Sequence, residues 1–284
     1  MAQSRWRLED LIEHCKWLNL ETESGMSQLL QRLGIHYKRG RDHVHSPDPF
    51  YQAKIDEISA LKERMQSQQS LEVLLYLDEL TYDRQPSVAC AYEEAGEARP
   101  HAQRSLLSNT ATRVVGTLDA LSGRVLFQSG CKVGIKELVH FYQHVRQAYP
   151  QAQRIWVVQD NWPIHFHPDV LVALEPQKTP FAFPRPKDWP DKPSPAAVKR
   201  WGDLRLPIQF VLLPTYASWC NPIEKLWRWL RQDVLRLHQG AADWPMLISQ
   251  VHAFLDQFAH GSTDLLRYVG LLRHGKLAAP LRSP

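Results

Sequence analysis

Three acidic residues lie where their carboxylates could meet around a metal ion. Asp78 directly follows the apolar run at residues 71–77, and Asp160 directly follows a second apolar run at residues 154–159. Both runs predict buried strands. Glu224 lies in the first turn of a predicted helix. Ligand sites in open α/β sheets lie at the carboxyl ends of strands, so neighbouring strands would bring Asp78 and Asp160 together.

The ligand types of this acidic set indicate the chemistry that it could support. Carboxylates without paired Cys or His residues favour hard cations such as Mg²⁺ or Mn²⁺ over zinc. Two such ions can activate a water or a 3′-hydroxyl on one side of a phosphodiester and stabilise the leaving oxygen on the other. Asp78, Asp160 and Glu224 are therefore the candidate catalytic and metal-binding residues.

Each acid also has a simpler structural interpretation. Asp is a common residue in the turn after a strand, and Asp160-Asn161 followed by Pro163 is favourable turn chemistry. Asn221 fits the N-cap of the last predicted helix, where Glu224 could reach back to it in a capping box. A carboxylate that only caps a helix needs no metal.

Further polar side chains near the acids could support such a site. His165 follows Asp160 closely and could be a hydrogen-bond donor or a phosphate contact, or simply a polar residue near a turn. Arg228 lies one helical turn after Glu224, where an i,i+4 pair would hold the carboxylate. Glu79, Asn161 and Asn221 flank the three acids and are candidates for the same supporting role.

The elements that must position these residues alternate between strand and helix. Strands are predicted at residues 71–77, 87–92, 112–118, 154–159 and 207–213, and helices at about 134–148, 168–174 and 222–237. The order β-β-β-α-β-α-β-α predicts an α/β sheet of mixed direction covered by helices. Residues 175–206 carry seven prolines, and this long insertion is either functional or a flexible surface loop.

The amino-terminal part has a different residue pattern, which predicts helices. Helical spacing of apolar residues predicts one helix at 6–18 and another from about 24 to 33, before a basic segment that includes Lys38, Arg39 and Arg41. Two helices and a basic arm suggest a small unit that binds DNA through these three cations. The alternative is a two-helix packing module with a solvated loop. We predict a helix-turn-helix-like unit at 1–50, a linker helix at 51–70 and a catalytic domain at 71–284.

Bulk composition excludes some classes of protein. A hydrophobic content of 44% with 23% charged residues is typical of a globular chain, and no run of about 18 apolar residues is present. The four cysteines are scattered, and the amino terminus lacks the apolar core of a secretion signal. We therefore expect a cytoplasmic protein. The formal net charge of +4 permits a polyanionic partner without requiring one.

Three blocks around the acids resemble the catalytic blocks of bacterial insertion-sequence transposases of the Tc/mariner superfamily. They are Leu77-Asp78-Glu79, the run from Val157 to His165 that contains Gln159-Asp160-Asn161, and the run from Leu213 to Trp227 that contains Asn221-Pro222-Ile223-Glu224. The likeness extends to Arg5-Trp6-Arg7-Leu8, to the run from Leu33 to Arg39 and to His45-Ser46-Pro47-Asp48-Pro49. It therefore covers most of the chain.

The resemblance implies a fold and an activity. It implies an RNase H-like catalytic fold with an amino-terminal helix-turn-helix-type all-α unit, and Asp78, Asp160 and Glu224 as the DDE triad with two Mg²⁺ or Mn²⁺ ions. The activity would be cleavage at transposon ends, followed by attack of the freed 3′-hydroxyl on target DNA, usually at a TA dinucleotide. The partners would be double-stranded DNA with terminal inverted repeats and further copies of the chain, in a dimer or larger assembly at the bacterial nucleoid.

Three features depart from the family pattern. The spacing from Asp160 to Glu224 is longer than is usual, and the proline-rich insertion accounts for the excess. The third block reads Tyr-Ala-Ser-Trp-Cys where many relatives have Tyr-Ser-Pro-Asp-Leu, and the helix-turn-helix portion is short. Two other functions stay open on the sequence: a catalytically silent or domesticated DNA-binding protein, and a metal-dependent nuclease that does not join DNA.

Overall fold

The computed structural model describes residues 7–36, 45–67, 71–93, 99–273 and 276–277. The chain forms two compact units, Met1–His45 and Ser46–Pro284. Within the described ranges, no helix is both long and apolar enough to cross a membrane.

The first unit is helical in its described part. Helix α1 spans Leu8–His14, a short 3-10 helix spans Lys16–Leu18, and α2 spans Glu23–Arg32. The hydroxyl of Thr22 accepts a hydrogen bond from the backbone N–H of Gly25 at 3.2 Å and so caps α2. These helices agree with the all-α unit that the apolar spacing predicts.

The second unit alternates strands and helices. In chain order its main elements are α3 (Tyr51–Ser67), β1 (Glu72–Asp83), β2 (Ala111–Asp119), β3 (Val125–Gly130), α4 (Ile135–Ala148), β4 (Arg154–Gln159), α5 (Pro168–Leu171), α6 (Pro195–Trp201), β5 (Ile208–Leu212), α7 (Ile223–Leu230), α8 (Trp244–Asp256) and α9 (Thr263–Val269). Short strands β6 (Leu272–Arg273) and β7 (Lys276–Leu277) pair with each other. Helices are observed at the three places predicted after β3, and α6 is an additional helix within the insertion that was predicted to be a loop.

The central sheet has five strands in the order β3-β2-β1-β4-β5. The pairs β1/β4 and β4/β5 are parallel, whereas β1/β2 and β2/β3 are antiparallel. The sheet is therefore of mixed direction, as predicted. The strands β1, β4 and β5 run parallel to one another. Residues that follow β4 and β5 therefore emerge at the end of the sheet where the distal half of β1 lies.

The second strand of the sequence prediction is wrong. Of the described residues at 87–92, only Ser87 makes a β-bridge, with Arg236. The missing strand is β3, which returns antiparallel to β2 through a turn whose Gly123 has a φ of 71°. The Leu-Ser-Gly sequence before the apolar start of β3 is the turn signal that could have identified this hairpin.

The sheet separates two hydrophobic layers. Alternate residues of β1 contribute to opposite faces: Leu74 and Tyr76 pack with α3, α7, α8 and α9, whereas Leu75 and Leu77 pack with α4, α5 and α6. The helix predicted as a linker therefore has a structural role as well. Its apolar stripe of Ile55, Ile58, Leu61 and Met65 is buried in the first of these layers.

The Ser46-Pro47-Asp48-Pro49 segment precedes α3, and its side chains bond to Thr215, which follows β5. Asp48 accepts hydrogen bonds from the backbone N–H groups of Phe50 and Thr215, both at 2.9 Å, and forms an ion pair of 2.7 Å with Lys54. Its side chain is only 4% exposed and that of Lys54 6%. Burial alone would raise the pKa of Asp48, but these hydrogen bonds and the Lys54 charge lower the pKa to about 2.

The proline-rich insertion is ordered against the sheet rather than structureless. It begins along the outer edge of β5, where the Gln177 side chain accepts a hydrogen bond from Phe210 N–H at 2.8 Å and donates one to the Ile208 carbonyl at 3.1 Å. Reciprocally, the Gln209 side chain accepts from Lys178 N–H at 2.9 Å and donates to the Pro176 carbonyl at 3.1 Å. These amides occupy backbone groups that an edge strand otherwise leaves open.

The last predicted long helix changes its winding. The α-helical part ends at Leu230, and Arg231–Leu235 continues as a π-helix in which Arg236 N–H bonds to the Arg231 carbonyl at 3.0 Å. Leu230 and Leu235 are both buried although they are five residues apart. In the wider π-helical turn these two residues lie on the same face, whereas in a regular α-helix they would not.

We predict that Asp48→Asn destabilises the protein by about 3 kcal/mol at pH 7, because Lys54 would lose the charge that it pairs with in a buried place. The folded pKa of Asp48 lies below its unfolded value, so the stabilisation is present above pH 4 and is lost as the pH falls towards 2. Urea unfolding of both proteins between pH 2 and pH 7 measures this. Asp264→Asn, in an exposed pair with Arg267, is the control and should cost less than about 1 kcal/mol. Equal stability of wild type and Asp48→Asn at pH 7 would contradict the prediction.

We also predict that Gln177→Leu destabilises the protein by about 1–3 kcal/mol, because Phe210 N–H and the Ile208 carbonyl lose their partner at the edge of the sheet. An opened edge should also promote association between molecules, which light scattering detects. Gln151→Leu, at an exposed position, is the matched control. If the two variants unfold at the same urea concentration, the edge contacts of Gln177 contribute nothing measurable.

Candidate functional site

Asp78 lies within β1 and not after it, which corrects the predicted strand end. The parallel pairing of β1 with β4 stops at Tyr76 and Val158, but β1 continues beside β2 to Asp83. Asp78 is thus just beyond the region that β4 covers. Its side chain points to the layer that contains α7, where the indole Nε1–H of Trp227 donates a hydrogen bond of 2.9 Å to Asp78 Oδ2.

Asp160 directly follows β4, as the sequence predicts. Its side chain is 53% exposed, and Oδ1 accepts a hydrogen bond from Trp162 N–H at 2.9 Å in a turn. The adjacent Asn161 donates from Nδ2 to the carbonyl of Leu213, just after β5, at 2.8 Å. The residue beside the acid therefore connects the ends of two parallel strands, which fixes the position of the turn.

Glu224 lies in the first turn of α7, but the capping-box interpretation is wrong. Pro222, not Asn221, is the N-cap, and its cap makes no side-chain hydrogen bond. The side chain of Asn221 instead donates to the carbonyl of Leu77 at 3.0 Å, one residue before Asp78. This bond ties the start of the helix that carries Glu224 to the strand that carries Asp78.

The acids interact through their charges. Burial, followed by the charges of Glu224, Glu79 and Asp160, raises the pKa of Asp78 to about 8 although a hydrogen bond from the Glu79 backbone opposes the shift. Burial also raises the pKa of Glu224, and the charge of Asp160 adds to this effect. The three predicted acids therefore belong to one electrostatic cluster at one edge of the sheet.

Two arginines moderate this negative charge. Arg231 and Arg228 both lower the pKa of Glu224, Arg231 having the larger effect. Both side chains are exposed and lie on the helical segment that follows Glu224. Arg228 is a predicted supporting residue, whereas Arg231 lies two helical turns after Glu224, a spacing at which the i,i+4 pattern gives no signal.

A buried polar chain lies on the other face of the sheet. The ring of His165 is fully buried, with Nε2 at 3.3 Å from Glu79 Oε1 and 3.8 Å from Asp160 Oδ1. Its Nδ1 lies 3.4 Å from the hydroxyl of Tyr142, which also donates to Gln159 Oε1 at 3.3 Å. Adjacent residues of a strand point to opposite faces, so Glu79 faces His165 while Asp78 faces Trp227.

The donor set fits a hard divalent cation. Among the described residues, no three Asp, Glu, His or Cys side chains are close enough to form a complete metal-binding group by themselves. Mg²⁺ is usually held by one or two carboxylates together with water and substrate phosphates rather than by a cage of protein ligands. The clustered carboxylates, with a raised pKa at Asp78, are a place where such a cation would relieve repulsion.

Some functional contacts were missed by sequence reasoning, and some predicted residues cannot be placed. Trp227 lies three residues after Glu224 on a helix, and this spacing was a usable signal for a shared site. The sequence contains no comparable signal for Tyr142, because only the folded sheet brings it to His165. The predicted DNA-binding residues Lys38, Arg39 and Arg41 lie outside the described residues.

The sheet order and the origin of the acids define a class of protein. Acids on the central strand, after its parallel neighbour and on the helix after the edge strand are the arrangement of an RNase H-like catalytic fold. Residues 73–243 match the family model described as DDE superfamily endonuclease. The chain belongs to this family.

Similarity to individual proteins agrees with this assignment. The Insertion element IS630 uncharacterized 39 kDa protein of Shigella sonnei is 21% identical over 263 residues, which are 89% of this chain and 65% of that protein. The chain thus spans slightly less than two thirds of the length of this curated relative. The DDE family that the sequence resemblance implies is thus confirmed by the family model, and the similarity to an insertion-element protein agrees with it.

Two solved structures share the fold. The crystal structure of the Mos1 mariner paired end complex with Mn superposes with a TM-score of 0.53 at 13% identity, over 95% of this chain and 76% of that chain. The Mos1 transposase paired-end complex with left transposon end has a TM-score of 0.54 at 12% identity, over 93% and 74% respectively. The predicted RNase H-like fold with amino-terminal helices is thereby confirmed.

We predict that Asp78→Asn stabilises the metal-free protein by about 1–2 kcal/mol at pH 8, because a neutral amide replaces a carboxylate that burial and neighbouring charges destabilise. The folded pKa of Asp78 is raised above its unfolded value, so ionisation costs no stability below pH 4 and progressively more as the pH rises towards 8. Thermal unfolding in a chelator at pH 5 and pH 8 measures the difference, with the exposed Asp203→Asn as control. An Asp78→Asn variant that is less stable than wild type at pH 8 would contradict the expected repulsion.

Proposed function

We propose that this protein is a DDE transposase that cleaves DNA at transposon ends and joins the freed 3′-hydroxyl to target DNA. The observation that carries the proposal is the electrostatic clustering of Asp78, Asp160 and Glu224 at one edge of a DDE-family sheet. Phosphoryl transfer requires mainly positioning and charge neutralisation. A rigid sheet edge that gathers carboxylates is suited to both.

The three acids are the proposed catalytic and metal-binding residues. Asp78, Asp160 and Glu224 would hold two Mg²⁺ or Mn²⁺ ions together with DNA phosphate oxygens. When bound, these ions supply the charge that activates the attacking oxygen and stabilises the leaving oxygen. The protein contributes the positions of the carboxylates, which the side-chain bonds of Asn161 and Asn221 to neighbouring strand ends restrict.

The remaining predicted residues have supporting roles in this proposal. His165 and Glu79 would buttress Asp160 from the opposite face of the sheet, because the His165 ring lies close to both carboxylates. The exposed Arg228, with Arg231 beyond it, would contact the phosphate backbone of DNA next to the acids. Lys38, Arg39 and Arg41 would contribute to binding of the terminal inverted repeats by the first unit.

The proposed substrate is double-stranded DNA in two forms, the terminal inverted repeats and a target that contains TA. Joining two ends to one target requires two active sites, so we propose that the chain acts as a dimer or larger assembly on DNA. The raised pKa of Asp78 supports an active enzyme over a silent DNA-binding protein, because strongly perturbed carboxylates are concentrated at functional sites.

The test is a cleavage assay on a plasmid that carries the DNA flanking the coding sequence, with Mg²⁺ present or chelated. We expect Mg²⁺-dependent cleavage, and we expect Asp78→Asn, Asp160→Ala and Glu224→Gln each to lower it at least about 100-fold, which corresponds to roughly 3 kcal/mol of transition-state stabilisation. Asp203→Asn should cleave like wild type. Cleavage that survives Asp160→Ala would reject the assignment of the acids.

A second assay separates joining from hydrolysis. Precleaved end duplexes that terminate in a 3′-hydroxyl or in a 2′,3′-dideoxynucleotide are incubated with a target plasmid. Joined product from the hydroxyl form alone supports strand transfer. Cleavage without any joined product would indicate a nuclease, and DNA binding without cleavage would indicate the silent alternative.

A further inference from the structure

Trp227 connects the helix that carries Glu224 to the carboxylate of Asp78. Its side chain is only 1% exposed, and its Nε1–H lies 2.9 Å from Asp78 Oδ2. An indole has one N–H group, which can only donate. A donor at a fixed place in the core therefore holds Oδ2 of Asp78 towards the helix.

The opposite strand provides the space for this indole. Gly116 of β2 pairs directly with Asp78 of β1. A Cβ at Gly116 would lie 2.8 Å from Cη2 and 3.2 Å from Cζ2 of Trp227, closer than normal carbon contacts. The missing side chain at Gly116 thus allows the ring to lie against the sheet with its N–H at the carboxylate.

We infer that Trp227 is a positioning residue that orients Asp78 for metal binding and keeps β1 and α7 in register across the site. The inference rests on the proposed function, because it assigns Asp78 to a metal. It adds a residue that acts through Asp78 rather than on the DNA. It also makes Gly116 part of the site, since the orientation depends on the space that this glycine leaves.

A second indole, on strand β4 instead of a helix, provides a control. Trp156 of β4 donates from Nε1 to Glu72 Oε2 at 3.0 Å, which is the same type of bond at nearly the same length. Glu72 is the first residue of β1, so this bond lies at the opposite end of the sheet from the acids. If indole-to-carboxylate bonds only stabilise the fold, Trp156→Phe and Trp227→Phe should behave alike towards metal.

The experiment measures Mn²⁺ binding to the full chain by electron paramagnetic resonance, in complex with an end duplex and after subtraction of the Mn²⁺ that the duplex binds alone, because substrate phosphates complete the coordination of such a cation. Trp227→Phe keeps an aromatic ring but removes the N–H donor, and we expect it to weaken Mn²⁺ binding about 10–100-fold, the usual effect of removing a partner of a metal ligand. Trp156→Phe should bind Mn²⁺ like wild type. Near-ultraviolet circular dichroism and thermal unfolding establish that each variant is folded.

Two glycine variants test the same hydrogen bond by changing the space next to the indole ring. Gly116→Ala should displace the indole and weaken Mn²⁺ binding, whereas Gly130→Ala, whose added Cβ would meet only an ordinary contact at 3.7 Å, should not. If Trp227→Phe fails to fold, Gly116→Ala decides the question. A folded Trp227→Phe or Gly116→Ala with wild-type Mn²⁺ binding overturns the inference and leaves the proposed function intact. A wild-type protein that neither binds Mn²⁺ nor cleaves DNA overturns the proposed function itself.

Discussion

Mutual repulsion among carboxylates at one edge of the sheet is the constraint on which the rest of the structure depends. Asp78 is partly buried beside Glu224, Glu79 and Asp160, and its pKa is raised to about 8 as a result. Such a cluster tends to spread apart unless the surrounding elements hold it. The fold does so with neutral donors, since Asn161 and Asn221 donate to the Leu213 and Leu77 carbonyls at the ends of strands.

Strands that are marked by an apolar run could be predicted from the sequence, as could the acids that follow them. Features that depend on which strands pair with each other could not. Apolar runs identify β4 and β5, and Asp160 follows β4 as expected. The distal half of β1 lacks a continuous apolar pattern because it contains three acids, and only its pairing with β2 shows that the strand continues to Asp83. The false strand at residues 87–92 has β-forming residues, but among the described residues its only β-pairing is the single bridge from Ser87 to Arg236.

The same distinction applies to the candidate site. Residue type and position identify Asp78, Asp160 and Glu224, because a carboxylate directly after an apolar run, or in the first turn of a predicted helix, can be recognised from the neighbouring residues alone. The indole bond to Asp78 and the contact of Tyr142 with His165 depend on which face of a strand meets which helix. A motif also fails to distinguish a capping Asn from one that bonds to another strand, and Asn221 is of the second kind.

The proline-rich insertion shows why a long spacer between Asp160 and Glu224 need not disturb the acids. β4 and β5 are parallel neighbours, so the chain between them must leave the sheet and return to its starting end whatever its length. Here the spacer uses Gln177 and Gln209 to cover the outer edge of β5. Extra residues at the periphery thus protect the outer edge of β5. The register of β1 and β4 positions Asp78 and Asp160, and the bonds of Asn221 and Trp227 to β1 position the helix that carries Glu224. The number of residues between the second and third acids is therefore free to vary, whereas their positions in the folded protein are not.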